Sequence, residues 1–331
     1  MKNFLLFSLG YLLFAVAVVL LTRENGLAPL KYTWEWSVRL IPAFSQTVIG
    51  LMVFGLFLAF LTRVKSLRSV VLSVILAFLA TVVFQSAFSL IKTSLPFIIP
   101  FFADPFFARL DQLLHGGVDP WIWTHRVAEH LPIDKILPTY MTGWAFPAIC
   151  LPVLLAATDN DQARVHRTLI LYVVAWAVIG NLFALLGMSA GPVFYDRIFG
   201  GERFADLTEM LVTSGLKDGI LGRTQEGLWQ VYAEQAQAVG SGISAFPSVH
   251  LSVSTVAGIY LAERSRWLIP VSVVLVATIL FLSVYSGYHY AVDGYFSIIF
   301  ICVLWYILRR RNGASKPSDA VSELTAGSRV G

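Results

Sequence analysis

Apolar runs of about twenty residues, separated by short polar or cationic segments, set the layout of this chain. A bilayer core of ~30 Å needs ~20 mostly apolar residues per helix. Eight stretches meet that requirement: 4–21, 43–62, 69–91, 136–157, 168–187, 244–262, 268–285 and 290–308. The first follows Lys2 in the manner of a signal peptide. It is long for such a segment, however, and Leu20-Leu21-Thr22-Arg23 offers no small-x-small cleavage pattern, so it reads as a helix. Two longer connections interrupt the series, at 92–135 and 188–243. In the first, apolar residues between Asp104 and Gly116 recur at helical spacing, which predicts an amphipathic helix along the membrane surface. The second is polar, and its middle, Gln225 to Gln237, predicts another short helix. The expected fold is all-α: a polytopic membrane protein with about eight transmembrane helices, no repeat and no separate soluble domain.

Composition agrees. The chain is 57% hydrophobic and 13% charged, whereas an ordinary soluble domain is ~45–50% apolar and ~25% charged. A soluble globule of this length could not hide so much apolar surface, and a disordered chain would be polar and highly charged. The net charge of +4 reflects basic loops rather than a nucleic-acid surface. Loops 63–68, 158–167 and 263–267, with the two termini, carry 13 of the 24 Lys and Arg residues. The positive-inside rule then places both termini in the cytoplasm and both long connections outside. The compact loops suggest a bacterial inner (plasma) membrane. Cys150 and Cys302 sit in apolar stretches and read as buried thiols. The Ser/Gly/Ala-rich end, 311–331, reads as a disordered cytoplasmic tail.

Ionisable residues at the mouths of spans are functional candidates, because burying them is costly. Two clusters stand out, both expected at the outer face. The sixth span opens with Gly242-Ile243-Ser244-Ala245-Phe246-Pro247-Ser248-Val249-His250. Pro247 suits the first helical position, Ser244 and Ser248 can cap or donate, and the free N–H groups of a helix start bind anions. His250, about one turn in, could act on a phosphate held there. The seventh span ends, and the eighth begins, with Ser283-Val284-Tyr285-Ser286-Gly287-Tyr288-His289-Tyr290-Ala291-Val292-Asp293. His289 and Asp293 are four apart and would share a helix face. A carboxylate on one imidazole nitrogen fixes the tautomer and leaves the other as nucleophile or base.

P-S-x-H followed by H-x-x-x-D resembles the second and third motifs of the type 2 phosphatidic acid phosphatase superfamily. The contexts S-A-F-P-S-V-H-L-S and G-Y-H-Y-A-V-D look more specifically like its inositol phosphorylceramide synthase (inositolphosphotransferase-like) branch. The upstream string D-P-F-F-A-R-L-D-Q-L-L-H-G-G-V-D-P-W is also similar to that branch, and Gly191-Pro192-Val193-Phe194-Tyr195-Asp196 stands where its first motif should lie. The resemblance covers about 100 to 300. It implies a six-helix catalytic core over 69–310, preceded by two extra helices within 1–68. It further implies His289 as nucleophile on phosphorus, Asp293 as its orienting partner and His250 as proton donor to the leaving oxygen. The implied mechanism is a phosphohistidine intermediate needing no metal and no cofactor. Ser244, Ser248, Tyr195, Arg197 and Gly287 are the candidates for holding the phosphate. The donor would be a lipid phosphate or phosphodiester, the acceptor a lipid or polyol.

The phosphatase branch carries K-x6-R-P as its first motif and S-R-x5-H-x3-D as its third. The former is not apparent, and Ser283 replaces the arginine of the latter. Arg197, Arg203, Lys217 and Arg223 are the substitutes available in 188–243, against seven carboxylates there. So sparse a clamp suits a singly charged phosphodiester better than a dianionic monoester. Gln225, Trp229, Gln230 and Tyr232 could offer a polyol headgroup a stacking face and hydrogen bonds. His115, His125, His130 and His166 read as surface or interfacial residues, with no H-E-x-x-H present. Three functions remain open: a lipid phosphotransferase, a lipid phosphate phosphatase using water, and a transporter or non-catalytic scaffold whose histidines handle protons.

Overall fold

The computed structural model describes residues 1–36, 38, 67–238 and 240–314. The expected span 43–62 and the tail from 315 onward lie outside the described residues. The principal helices are α1 (Lys2–Thr22), α2 (Leu67–Ile98), α3 (Asp104–Leu114), α4 (Pro120–Ala128), α5 (Ile133–Pro138) and α6 (Ala145–Thr158). They continue as α7 (Gln162–Val173), α8 (Pro192–Phe199), α9 (Ala205–Thr213), α10 (Ile220–Ala233), α11 (Val249–Arg264), α12 (Ile269–Tyr285) and α13 (Ala291–Ala314). No strand occurs among the described residues.

Among the described residues, five helical stretches are long and apolar enough to cross a membrane: Lys2–Thr22, Ser69–Ile98, Gln162–Leu186, Arg266–Tyr285 and Ala291–Arg311. A sixth forms if Ile133–Gly143 and Ala145–Thr158, bent by 48°, count as one span. That bend falls at the expected span 136–157. Pro138 lacks a main-chain donor, and a π-helical turn follows over Thr139–Gly143, both recognised causes of kinks. The expected span 244–262 is shorter than its apolar run. Its helix, α11, starts at Val249 and has 16 residues, about 24 Å at 1.5 Å per residue. Residues before it are drawn instead onto Ser189, whose carbonyl accepts from Ala245 N (2.7 Å) and whose hydroxyl accepts from Phe246 N (3.0 Å). Pro247 therefore precedes the helix, and Ser248 caps it by accepting from Leu251 N at 3.4 Å.

Helix α11 is the centre of the bundle. Its buried side chains are mostly small (Ser252, Ser254, Thr255, Ala257, Gly258), so α6, α7, α12 and α13 can approach closely. Large apolar residues such as Leu13, Leu21, Val273, Ile299 and Val303 are exposed on outward faces, as a bilayer-facing surface requires. Cys302 is exposed on that surface, contrary to expectation, whereas Cys150 is buried. At the C-terminal end of α11, Arg167 donates twice to Glu263 (3.1 and 2.7 Å) and Trp305 adds a third bond at 2.6 Å. His250 and His289 meet at the opposite end.

Helix α3 matches the expected amphipathic segment, but its buried face carries carboxylates. Asp104 accepts from Ala190 N and Gly191 N (both 2.8 Å) and from Tyr290 Oη (3.0 Å). Asp111 accepts from Ala291 N (2.9 Å) and Val292 N (3.1 Å). It thus caps the start of α13 from another helix, satisfying donors that have no partner within α13 itself.

Candidate active site

The loop between α12 and α13 delivers His289. Gly287 takes φ +74°, a left-handed turn that favours glycine, and His289 N then bonds back to Ser283 O at 3.2 Å. Asp293, third residue of α13, reaches back to accept from Tyr290 N (3.0 Å) and faces His289 Nδ1 at 3.3 Å. The expected pairing of His289 with Asp293 is present, but its geometry is corrected: a loop residue meets a first-turn carboxylate, rather than two residues sharing one helix face. On the other side of the ring, Ser248 Oγ lies 3.2 Å from His289 Nε2. With Nδ1–H donated to Asp293, Nε2 carries the lone pair and the Ser248 hydroxyl donates to it. Burial, then the charges of His250 and Lys92, hold the His289 imidazole well below its ordinary value.

His250 is the second residue of α11, nearer the helix start than expected. Its ring centre is 5.7 Å from that of His289. Tyr140 stacks on it at 5.0 Å and Trp144 lies at 4.1 Å, so the bent segment at 139–144 fixes its position. Both histidines line a cavity of about 460 Å³, together with Lys92, Ser89, Ser241, Ser244 and Tyr288. Among the described residues, Ser89 Oγ and Tyr288 Oη are buried there without a hydrogen-bond partner, which leaves two donors for a ligand oxygen. From this polar end the cavity continues between α2 and α6, past Phe78, Val82, Ile149 and Val153.

Lys92 is the one Lys or Arg lining the cavity among the described residues. It is buried, donating to Gly180 O at 3.2 Å within the π-helical stretch Val174–Phe183. The hydropathy pattern puts it at the first position of the 92–135 connection and gives it no role. The signal was present: Lys92-x6-Ile99-Pro100 keeps the lysine and proline of K-x6-R-P, with isoleucine in the arginine's place.

The cations put forward from 188–243 are occupied elsewhere. Arg197 pairs with Glu226 at 2.8 Å and lies over Trp229. Arg203 binds both oxygens of Asp119 (2.8 and 2.7 Å), Lys217 donates to Gln225 Oε1 (2.9 Å), and Arg223 donates to Asp218 O (3.0 Å). Tyr195 packs against Phe199 and Phe204, and neither it nor Gly287 lines the cavity. The Gly191–Asp196 element is instead a seat for the His289 loop. Gly191, at φ +91°, passes so close to Tyr288 O that a Cβ would sit 2.4 Å from it, and Val193 N donates to Gly287 O at 2.9 Å. On α10, Thr224 and Leu228 face the cavity. Gln225 is buried on Ser286 O (2.9 Å), Trp229 stacks on Phe194, Tyr232 packs on Phe101, and Gln230 is exposed. His125 is buried too, stacked on Tyr285 with Nε2 3.0 Å from its carbonyl. Among the described residues, no group of three or more His, Cys, Asp or Glu could hold a metal ion.

The family model of the PAP2 superfamily matches residues 105–307. No curated protein and no solved structure matches the chain significantly.

Proposed function

Because the chain belongs to the PAP2 superfamily, we propose that it is a membrane lipid phosphotransferase that works through a phosphohistidine at His289. The observation that carries this reading is the His289 ring, held between Asp293 and Ser248 and facing His250 across the end of a cavity. His289 Nε2 attacks phosphorus, forming a P–N bond as the P–O bond to the leaving alcohol breaks, and His250 gives that oxygen its proton. The Ser248 hydroxyl, freed from Nε2, turns to a phosphoryl oxygen. In the second half, His250 takes the proton of an acceptor hydroxyl, whose oxygen replaces Nε2 on phosphorus. Asp293 holds the tautomer and offsets the positive charge on the ring.

The rest of the cavity supports a lipid diester as donor. Its apolar arm follows α2 from Lys92 back to Phe78, about 21 Å at 1.5 Å per residue, enough for an acyl chain. Lys92 is a single cation, with Ile99 and Ser283 at the two arginine positions of the phosphatase pattern. One positive charge balances one diester anion, whereas a monoester dianion would leave a negative charge uncompensated in a poorly hydrated site. The inositolphosphotransferase-like specificity and the outward-facing site belong to this proposal. Purified protein incubated with labelled phosphomonoester and phosphodiester lipids, with and without lipid and polyol alcohols, tests it by product analysis. Headgroup transfer from a diester is expected. Release of phosphate from monoesters alone, whatever alcohol is supplied, would make it a phosphatase.

A further inference from the structure

Arg23, the residue after α1, lies outside the segment that fits the family and is only 9% exposed. Its guanidinium donates to the main-chain carbonyls of Thr93 (3.0 Å), Ala236 (3.1 Å) and Gln235, and it sits 4.2 Å from the centre of the Phe97 ring. A planar fork with several fixed donors is needed to reach three carbonyls at once, which an ammonium group cannot reproduce. The segment it grips is unusual. Gln235, at φ +52°, is the one non-glycine residue with positive φ among the described residues. It ends α10 in a Schellman-type turn, with Ala236 N on Val231 O at 2.9 Å and Gln235 N on Tyr232 O at 3.1 Å. Thr93 Oγ1 adds a bond to Gln237 Oε1 at 2.5 Å. Beyond this clasp the chain returns to the same turn of α2. Gly242 lies against Lys92 so closely that a Cβ would be 2.5 Å from Cγ, and residues 240–244 form a wall of the cavity.

We propose that Arg23 is a positioning residue of the site: it anchors the exit of α10 to α2 beside Lys92, holds 240–244 against the cavity, and so limits water competing with the acceptor hydroxyl. This rests on the phosphotransferase reading. Water exclusion with a held nucleophile is what separates transfer from hydrolysis at a shared intermediate.

The test compares wild type, Arg23→Ala, Arg23→Lys and Gln235→Gly as purified full-length proteins, by amide hydrogen exchange and by the ratio of transferred to hydrolysed product. Arg23→Ala should speed exchange in 235–238 and 240–244 by roughly tenfold or more, the scale of losing charge-assisted hydrogen bonds. It should also raise the hydrolysed share by roughly threefold or more, as an opened site admits water. Arg23→Lys should fall between. Gln235→Gly keeps the carbonyl and relieves the left-handed turn, so neither readout should rise. Should the alanine variant fail to fold, Arg23→Lys reports on the same contacts and Thr93→Val on the adjoining Thr93–Gln237 bond of the clasp, with the same expected directions. Unchanged exchange in 235–244 overturns the clasp, and faster exchange with an unchanged product ratio overturns its role at the site. If wild type transfers nothing, the exchange result still decides the clasp, while the failure lies with the proposed reaction.

Discussion

Replacing Lys92 by methionine removes the cavity's cation while nearly keeping its volume. Among the described residues, Lys92 Nζ has one hydrogen bond, to Gly180 O at 3.2 Å, so its remaining donors are available to a phosphoryl group. Losing one preorganised donor to a developing oxyanion costs ~2.7–4 kcal/mol, or about 10²–10³ in rate. Lys92→Met should therefore lower kcat/KM for a diester donor by about 10²–10³. Stability should move the other way or hardly at all, since exchanging a buried unpaired charge for an aliphatic chain relieves desolvation and leaves one carbonyl without its donor. The assay pairs steady-state turnover in detergent with thermal melting of the same preparations. Activity above about a third of wild type would refute the argument that Lys92 neutralises the phosphate. Activity lost only in step with the melting temperature would show that Lys92 serves the fold instead.

Burial lifts the Asp111 carboxyl from 3.8 to about 6, against the main-chain N–H groups of Ala291 and Val292 that lower it. The folded state thus keeps this proton to higher pH than the unfolded chain, so the group's contribution is greatest below the unfolded value and falls by roughly 3 kcal/mol as pH rises through 6. Asp111→Asn should flatten that part of the stability profile, and parallel profiles for variant and wild type would count against it. His250→Ala should slow adduct formation from donors with alkoxide leaving groups by about 10²–10⁴ yet spare the nitrophenol burst from nitrophenyl esters, which leave without a proton; equal loss in that first step would remove His250 as the acid. For sidedness, Gln230 and Asn160 are both exposed. A cysteine at Gln230 should react with an impermeant thiol reagent on intact cells and one at Asn160 should not; the reverse would turn the site to the cytoplasm.

Motif spacing anticipated the meeting of His250, His289 and Asp293, because each motif carries its own local geometry. It misjudged the route, since the start of α13 is set by Asp111, a residue 182 positions before Asp293 in the chain. The α10 residues were chosen for their chemistry, but the phase of a helix against its neighbours is a tertiary property. That phase turned Thr224 and Leu228 to the cavity and Gln225 to Ser286. Two of the loop cations, Arg197 and Arg203, went to the carboxylates of Glu226 and Asp119, which hydropathy could not pair with them. Lys92 was hidden for the opposite reason: it is the one charged residue of the helix over 69–98, and only the cavity shows what it faces. The bend at 139–144 had its proline and glycine in plain view, yet hydropathy alone counts such a segment as one straight span.

The proposed reaction requires phosphorus to be bonded to His289 during turnover. Rapid quench of the protein with a phosphate-labelled lipid diester, followed by digestion and mass spectrometry at alkaline pH, reads this directly. An acid-labile, base-stable phosphoryl adduct on His289 is expected, enriched in His250→Ala with a nitrophenyl donor and absent from His289→Ala. Turnover by wild type without a covalent adduct, or an adduct that persists in His289→Ala, would contradict it.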